Sequence, residues 1–184
     1  MRAVLLEVPQ AMLDERRRLG LDRRDEMWDG ELHVVPPAGG PHQRLGSDVL
    51  VVLSPVAKGQ GLVASYETGL FAADDDYRVP DQLYCRPEHL SERGAEGGEL
   101  VIEFRSPGDE SYAKLDFYSK LGVREVIVAH PRDRRVELFR LVDDRLLPVT
   151  AGHDGALRSD VLGVTFCTTG GRLLITWEGG SAEV

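Results

Sequence analysis

Two acidic residues fall where a charge is expensive. Asp81 follows Val79-Pro80 in an apolar run otherwise built from Arg78, Val79, Leu83 and Tyr84, and Glu103 interrupts Leu100-Val101-Ile102-Glu103-Phe104-Arg105. A carboxylate in such a run must be paired, solvated in a cleft or bound to a cation, because an unpaired buried charge is very costly. Two carboxylates from neighbouring strands form a natural oxygen cage for a hard divalent ion. Such an ion activates water and stabilises phosphoryl charge, whereas without it the two like charges raise each other's pKa. The plainer reading turns Glu103 to solvent and pairs it with Arg105 or Arg78. Against it stands the order of signals: Pro-Asp in a strand, a loop, an acid inside an apolar strand, then a helix carrying Lys114.

The elements that must position these residues read as α+β, a mixed sheet carrying helices, with an N-terminal helix and an early hairpin. Residues 9–19 suit a helix opened by Pro9 and closed by Gly20, with apolar contacts from Met12, Leu13 and Leu19. Residues 26–35 predict a hairpin turning at Asp29-Gly30, a pair that tolerates positive φ. A second helix is expected over 41–58, on the stripe Leu45, Val49, Val52 and Val56, with Pro55 kinking or ending it. Residues 62–65, 69–72, 78–84 and 100–105 read as strands of one sheet, and 91–98 as a surface loop. A third helix is predicted over 111–121, capped by Ser111, bearing Lys114 and Tyr118 on one face and stopped by Gly122. A buried strand at 125–129, a hairpin of 135–142 with 145–149 across Asp143-Asp144, and a last edge strand at 173–177 complete the reading.

The chain has 184 residues, which argues for one domain over 1–184 with its core at about 26–142. Apolar residues at 42% are too many for a disordered chain. No apolar run approaches the roughly 20 residues of a membrane span, and the first residues lack the h-region of a secretory signal. A cytoplasmic protein without a membrane partner is expected, with Cys85 and Cys167 reduced. Twenty-two Lys and Arg against 31 Asp and Glu give a net charge of −9, which speaks against a broad nucleic-acid surface but permits a local basic groove. The available clusters are Arg16, Arg17 and Arg18 with Arg23 and Arg24, and separately Arg132, Arg134 and Arg135. Interleaved acids (Asp14, Glu15, Asp22, Asp25 and Asp133) make ordinary surface charge the plainer reading of both. His33, His89, His130 and His153 lack ligand spacing, so zinc is not expected.

Several ordered segments together resemble the Uma-type family of restriction-endonuclease-like proteins, a branch of the PD-(D/E)XK nuclease superfamily. They are Glu26-Met27-Trp28-Asp29-Gly30-Glu31-Leu32, His42, Arg78-Val79-Pro80-Asp81, Leu100-Val101-Ile102-Glu103 with Ser106-Pro107, Lys114 with Tyr118, Gly122-Val123 and Glu125-Val126. The resemblance implies a restriction-endonuclease-like mixed sheet flanked by helices, with a site for Mg²⁺ (or Mn²⁺) at Asp81 and Glu103. Glu26 matches the family's N-terminal glutamate and is implied as a third acid reaching the metal. In the wider superfamily a lysine stands two positions after the second acid. Here that position is Arg105, which keeps its proton and orients phosphate but is a poor general base. The resemblance offers Lys114 in its stead. His42 is a candidate for contact with a phosphate or water.

Two functions stay open on the sequence. One is a metal-dependent endonuclease acting on DNA, with Asp81, Glu103 and Glu26 as metal ligands and Lys114 or Arg105 offsetting charge on phosphorus. The other is a binding or regulatory module that keeps the scaffold without catalysis, favoured by the charge of −9 and by Arg105. An apolar edge strand at 173–177 would make a homodimer plausible.

Overall fold

The computed structural model describes residues 3–106 and 108–184, so Pro107 and the first two residues lie outside the described residues. A short strand β1 (Ala3–Leu5) precedes α1 (Gln10–Arg18) and the hairpin β2 (Glu26–Trp28) and β3 (Glu31–Val34). Helix α2 (Gly40–Gly59) leads into β4 (Val63–Tyr66), β5 (Leu70–Ala73), β6 (Asp76–Arg78) and β7 (Gln82–Cys85). After β8 (Leu90–Ser91) and β9 (Gly94–Ala95), β10 (Leu100–Phe104) is followed by a 3-10 turn at Ser111–Lys114, α3 (Leu115–Lys120) and β11 (Glu125–Ala129). The chain ends with β12 (Val136–Val142), β13 (Arg145–Pro148), β14 (Leu157–Arg158), β15 (Thr165–Thr169), β16 (Arg172–Trp177) and β17 (Gly180–Glu183). No helix among the described residues is long and apolar enough to cross a membrane.

The central sheet has the order β13-β12-β11-β10-β7-β4, with β10 and β11 parallel and the other pairs antiparallel. A parallel pair needs a crossover, and here the crossover is α3. Every residue of β10 and β11 is buried, as befits parallel strands covered on both faces. One face, with Tyr84, Leu100, Ile102, Phe104, Ile127 and Leu138, packs under α2 and against Leu157, Phe166 and Ile175 of the C-terminal segment. The opposite face, with Leu83, Val101, Val126 and Val128, packs against Phe117 and Tyr118 of α3. By the period-2 alternation of a strand, Glu103 falls on the α3 side.

Several expected elements form as read. Asp29 and Gly30 turn the first hairpin with φ of 48° and 88°, and Asp143 and Asp144 turn the later one at 47° and 60°. The expected single sheet is instead three. The run 78–84 is cut by Val79-Pro80-Asp81, so that β6 joins a sheet ordered β1-β3-β2-β6-β5-β9-β8 while β7 joins the central one. Proline has no N–H for a ladder, and the strand changes partners there. The loop expected over 91–98 holds parts of β8 and β9, and the buried Ala95 pairs with Leu70. Helix α2 runs through Pro55, because the carbonyl that loses its partner belongs to Val51, which is 75% exposed and can turn to water. Its buried stripe is Leu45, Val49, Leu53 and Ala57, with Val52 and Val56 at the margin. Helix α1, by contrast, buries none of its residues. The strand β16 is no edge: it pairs with β15 on one side and β17 on the other, which removes the reason given for a homodimer. Ser111 is buried and caps neither the 3-10 turn nor α3.

Glu125 ties the C-terminal segment to the central sheet. Its Oε1 accepts from Arg140 Nε at 3.0 Å and from the Asp160 N–H at 2.9 Å, while Oε2 accepts from the Ser159 hydroxyl and the Val161 N–H. Glu125→Ala leaves the Ser159 hydroxyl and the Asp160 and Val161 N–H groups without that acceptor, while Arg140 keeps Asp160 and the Arg158 carbonyl. The substitution is expected to destabilise the fold by about 2–4 kcal/mol, seen as a lower urea midpoint with an unchanged slope.

Candidate active site

The ladder between β7 and β10 pairs Leu100 with Tyr84, Val101 with Leu83 and Ile102 with Gln82, and its next step places residue 81 across from residue 103. Pro80 stops the pairing, and the Asp81 side chain replaces the strand: its Oδ2 accepts the Phe104 N–H at 2.8 Å. Residues opposite one another on antiparallel neighbours bring their side chains within about 5 Å at Cβ. The end of the ladder is therefore what brings the two carboxylates together.

Glu103 is met from α3. Lys114 Nζ lies 3.1 Å from Glu103 Oε1 and 2.7 Å from Glu26 Oε1, so one ammonium bridges two carboxylates from different sheets. Tyr118, one helical turn on, donates its hydroxyl to Glu103 Oε1. Glu26 is further held by the Val79 N–H at 3.0 Å and by the Trp28 indole N–H at 2.9 Å. Relative exposures of 1% for Glu26, 4% for Glu103 and 6% for both Asp81 and Lys114 leave this cluster nearly without solvent, so its charges must balance among themselves.

The balance shows in the protonation equilibria. Burial, reinforced by the charges of Asp81 and Glu26, raises the Glu103 pKa to about 7 against the pull of Lys114. Burial also opposes the charge on Glu26, but the Lys114 ammonium and the Val79 and Trp28 donors outweigh it and hold its pKa below the usual value. For Lys114, burial works against the ammonium, and Glu103 with Glu26 overcome it, leaving the pKa above that of an ordinary lysine. The Tyr118 phenol is pushed well up by burial and by Glu103, which keeps it a donor.

Helix α2 closes the other side. Gln82 Nε2 donates to the Gly46 carbonyl at 2.7 Å, and a Cβ on Gly46 would come within 3.3 Å of the Tyr66 hydroxyl, so the helix rests close to the sheet at that glycine. His42, four residues earlier on the same face, bonds Asp81 Oδ1 through Nε2 at 3.0 Å and Ser106 Oγ through Nδ1 at 3.3 Å. Arg24 lies 3.8 Å from the same Oδ1 and 3.3 Å from Glu67. His42, Ser106 and Arg24 line a cleft of about 390 Å³ together with Glu26, Asp81, Glu103 and Lys114.

Of the residues singled out in the sequence, the structure unites Asp81, Glu103, Glu26 and Lys114, and places His42 on Asp81 rather than free in the cleft. Arg105 stands apart. Strand β10 ends at Phe104, and the Arg105 guanidinium stacks on Tyr112 at 4.7 Å, with Nε 3.7 Å from Asp109. Glu103 pairs with neither Arg105 nor Arg78; the latter is held between the Trp28 and Phe117 rings. Most of the N-terminal arginines are spent locally, Arg16 on Asp25, Arg18 on Glu15 and Arg17 near Asp14. The contact of Arg24 with Asp81 had no signature in residue spacing. Among the described residues no three His, Cys, Asp or Glu side chains form a ready metal cage.

Comparison with known proteins bears on the family and the fold. The chain matches a crystal structure described as a putative nuclease belonging to DUF820 from Anabaena variabilis, with 20% identity over 82% of this chain and 89% of that one and a TM-score of 0.63, which shows a shared fold. It also matches part of a DrdV–DNA complex at 16% identity, over 59% of this chain and 10% of that chain, with a TM-score of 0.38, too low to carry an argument. No curated protein matches the sequence. Residues 13–169 match the Uma2 family, described as "Putative restriction endonuclease", and a match over that much of the sequence makes this chain a member of the Uma2 family.

Proposed function

We propose that the chain is a divalent-metal-dependent endonuclease that hydrolyses DNA phosphodiester bonds in the cleft of Asp81, Glu103 and Lys114. The observation that carries this reading is the convergence of two carboxylates at the end of one ladder with a buried ammonium beside them. The family's description and that of the Anabaena protein support the same class of chemistry.

The residues fit a hard dication. Mg²⁺ needs only one or two carboxylates beside water and substrate phosphate, and Asp81 and Glu103 supply these oxygens. The pKa of Glu103 is raised mainly by burial and further by the charges of Asp81 and Glu26. Glu26 already accepts from three protein donors, so its role here is to anchor Lys114 while Asp81 and Glu103 hold Mg²⁺ or Mn²⁺. Bound there, the metal would activate water and stabilise charge on the phosphoryl group. His42 and the Phe104 N–H fix the Asp81 carboxylate, and Tyr118 fixes that of Glu103. Lys114 keeps its proton, so it offsets negative charge gathering on the phosphate and does not act as a base. Cleavage leaves the attacking water's oxygen on phosphorus and a proton on the departing sugar oxygen.

A non-catalytic binding module is served by one observation, the ammonium already bridging Glu26 and Glu103. Metal separates the two readings. At a tenfold excess over its Kd, Mg²⁺ or Mn²⁺ stabilises a specific site by about 1.4 kcal/mol, which for this size raises Tm by about 3–5 °C. The nuclease is expected to show this rise and to nick supercoiled plasmid DNA, and Asp81→Asn or Glu103→Gln to lose both. A Tm indifferent to millimolar metal, with no nicking, leaves the binding module in place.

Protonation gives a second check on the metal-free protein. Because the folded state holds the Glu103 proton up to about pH 7 and an unfolded chain releases it near 4.5, the native form binds more protons between these values. Stability therefore falls as pH rises through that window, by no more than about 3 kcal/mol. Urea unfolding from pH 5 to 8 is expected to show this decline, and Glu103→Gln to flatten it.

A further inference from the structure

A second cleft of about 440 Å³ adjoins the first, and Gly39, His42 and Ser106 wall both. Its other walls include Arg105 and Arg132. Resting on the nuclease reading above, we propose that this cleft is a subsite for a backbone phosphate of the DNA strand beside the scissile bond, held by the open N-terminus of α2 together with Arg105 and Arg132.

Three independent features point to an anion. Helix α2 is 20 residues long and starts from Gly39 without a side-chain cap or any acid in its first turn. Its first internal bond is the Gln43 N–H to the Gly39 carbonyl, so the N–H groups of Gly40 and His42 precede the helical ladder, and Pro41 has none to offer. A Cβ built on Gly39 or Gly40 meets nothing within 4 Å, so the approach is open. Such a terminus carries partial positive charge and backbone donors suited to phosphate.

Arg105 supplies the second feature. Its Nε is buried and has no hydrogen-bond acceptor, since Asp109 at 3.7 Å is beyond bonding range, and the Tyr112 ring fixes the guanidinium plane. A planar fork held against an aromatic face loses little entropy when it takes a phosphate oxygen. The third feature is Arg132, which is exposed and makes no ion pair among the described residues. Two other polar groups of this wall are engaged elsewhere: His130 bonds Glu137 at 2.7 Å, and Asp133 accepts the Arg135 N–H at 3.1 Å. A protein of net charge −9 whose reaction cleft is walled by five acidic residues, Glu26, Asp81, Glu103, Asp109 and Glu110, repels DNA there unless cations nearby hold the strand.

The test uses the full chain carrying Asp81→Asn, so that the DNA survives, and fluorescence anisotropy of a labelled duplex from 50 to 300 mM salt. Arg105→Gln and Arg132→Gln are each expected to lower the slope of log K against log salt by about 0.9, which is about an eightfold loss of affinity at 0.1 M relative to 1 M. Gly39→Asp, which places a favourable cap and a negative charge at the helix start, is expected to keep or raise Tm while weakening DNA. If the parent binds DNA and all three variants keep its affinity and slope, the subsite is refuted while the nuclease reading stands. If the parent binds no duplex at 50 mM salt and the unmodified protein cuts none, the nuclease reading fails and this proposal with it.

Discussion

One ammonium holds the site together. Glu26 arrives from the N-terminal hairpin and Glu103 from the central sheet, and Lys114 Nζ reaches both within 3.1 Å. Without it, two carboxylates would face each other in a space that admits almost no water, at a cost of several kcal/mol for each. The hairpin sheet and the central sheet are therefore joined at this point by charge rather than by an apolar interface. The ion pair is also poised, because Glu103 remains the weaker acid of the two and Asp81 adds a further negative charge next to it.

The backbone sets where this happens. Strand β7 begins at the residue after Asp81, and proline at position 80 prevents the ladder from extending back past it. The Phe104 N–H that would have bonded a strand carbonyl bonds a carboxylate instead. A ladder that frays inside a covered sheet thus gains a fixed acidic group at the point of fraying. The same ending turns Arg105 away from the cleft, since alternation along β10 stops at Phe104.

How much of this was legible in the sequence follows from the range of the interactions involved. The Asp-Gly and Asp-Asp hairpins, α2 and the buried strand β11 depend on neighbours a few positions apart, and local pattern revealed them. The acids were legible because a charge in an apolar strand is conspicuous in one dimension. Division of the strands among three sheets was not: Pro80 marks a break in the run, but which sheet each side of the break joins depends on pairing with distant strands. Local pattern predicts one helix from Ser111 to Leu121, whereas its first turn is a 3-10 turn in which Ser111 and Lys114 are buried. The pairing of Lys114 with Glu26 spans 88 positions, and only the fold could supply it.

The position of Arg105 shows why a lysine on a helix can serve where a strand residue does not. Two positions after Glu103, a side chain would enter the cleft only if the strand continued; the chain instead leaves the sheet for the loop that carries Asp109. Lys114 approaches from the end of the 3-10 turn that leads into α3, and its placement is supported by Tyr118 packing one turn later and bonding the same Glu103 oxygen. The i, i+4 spacing of these two residues does the work that strand alternation would have done. A guanidinium in this place would need more room and more acceptors than two carboxylates at 2.7 and 3.1 Å provide, whereas an ammonium is compact enough to be shared between them. Arg105 instead rests its flat face on Tyr112, with Asp109 3.7 Å from its Nε.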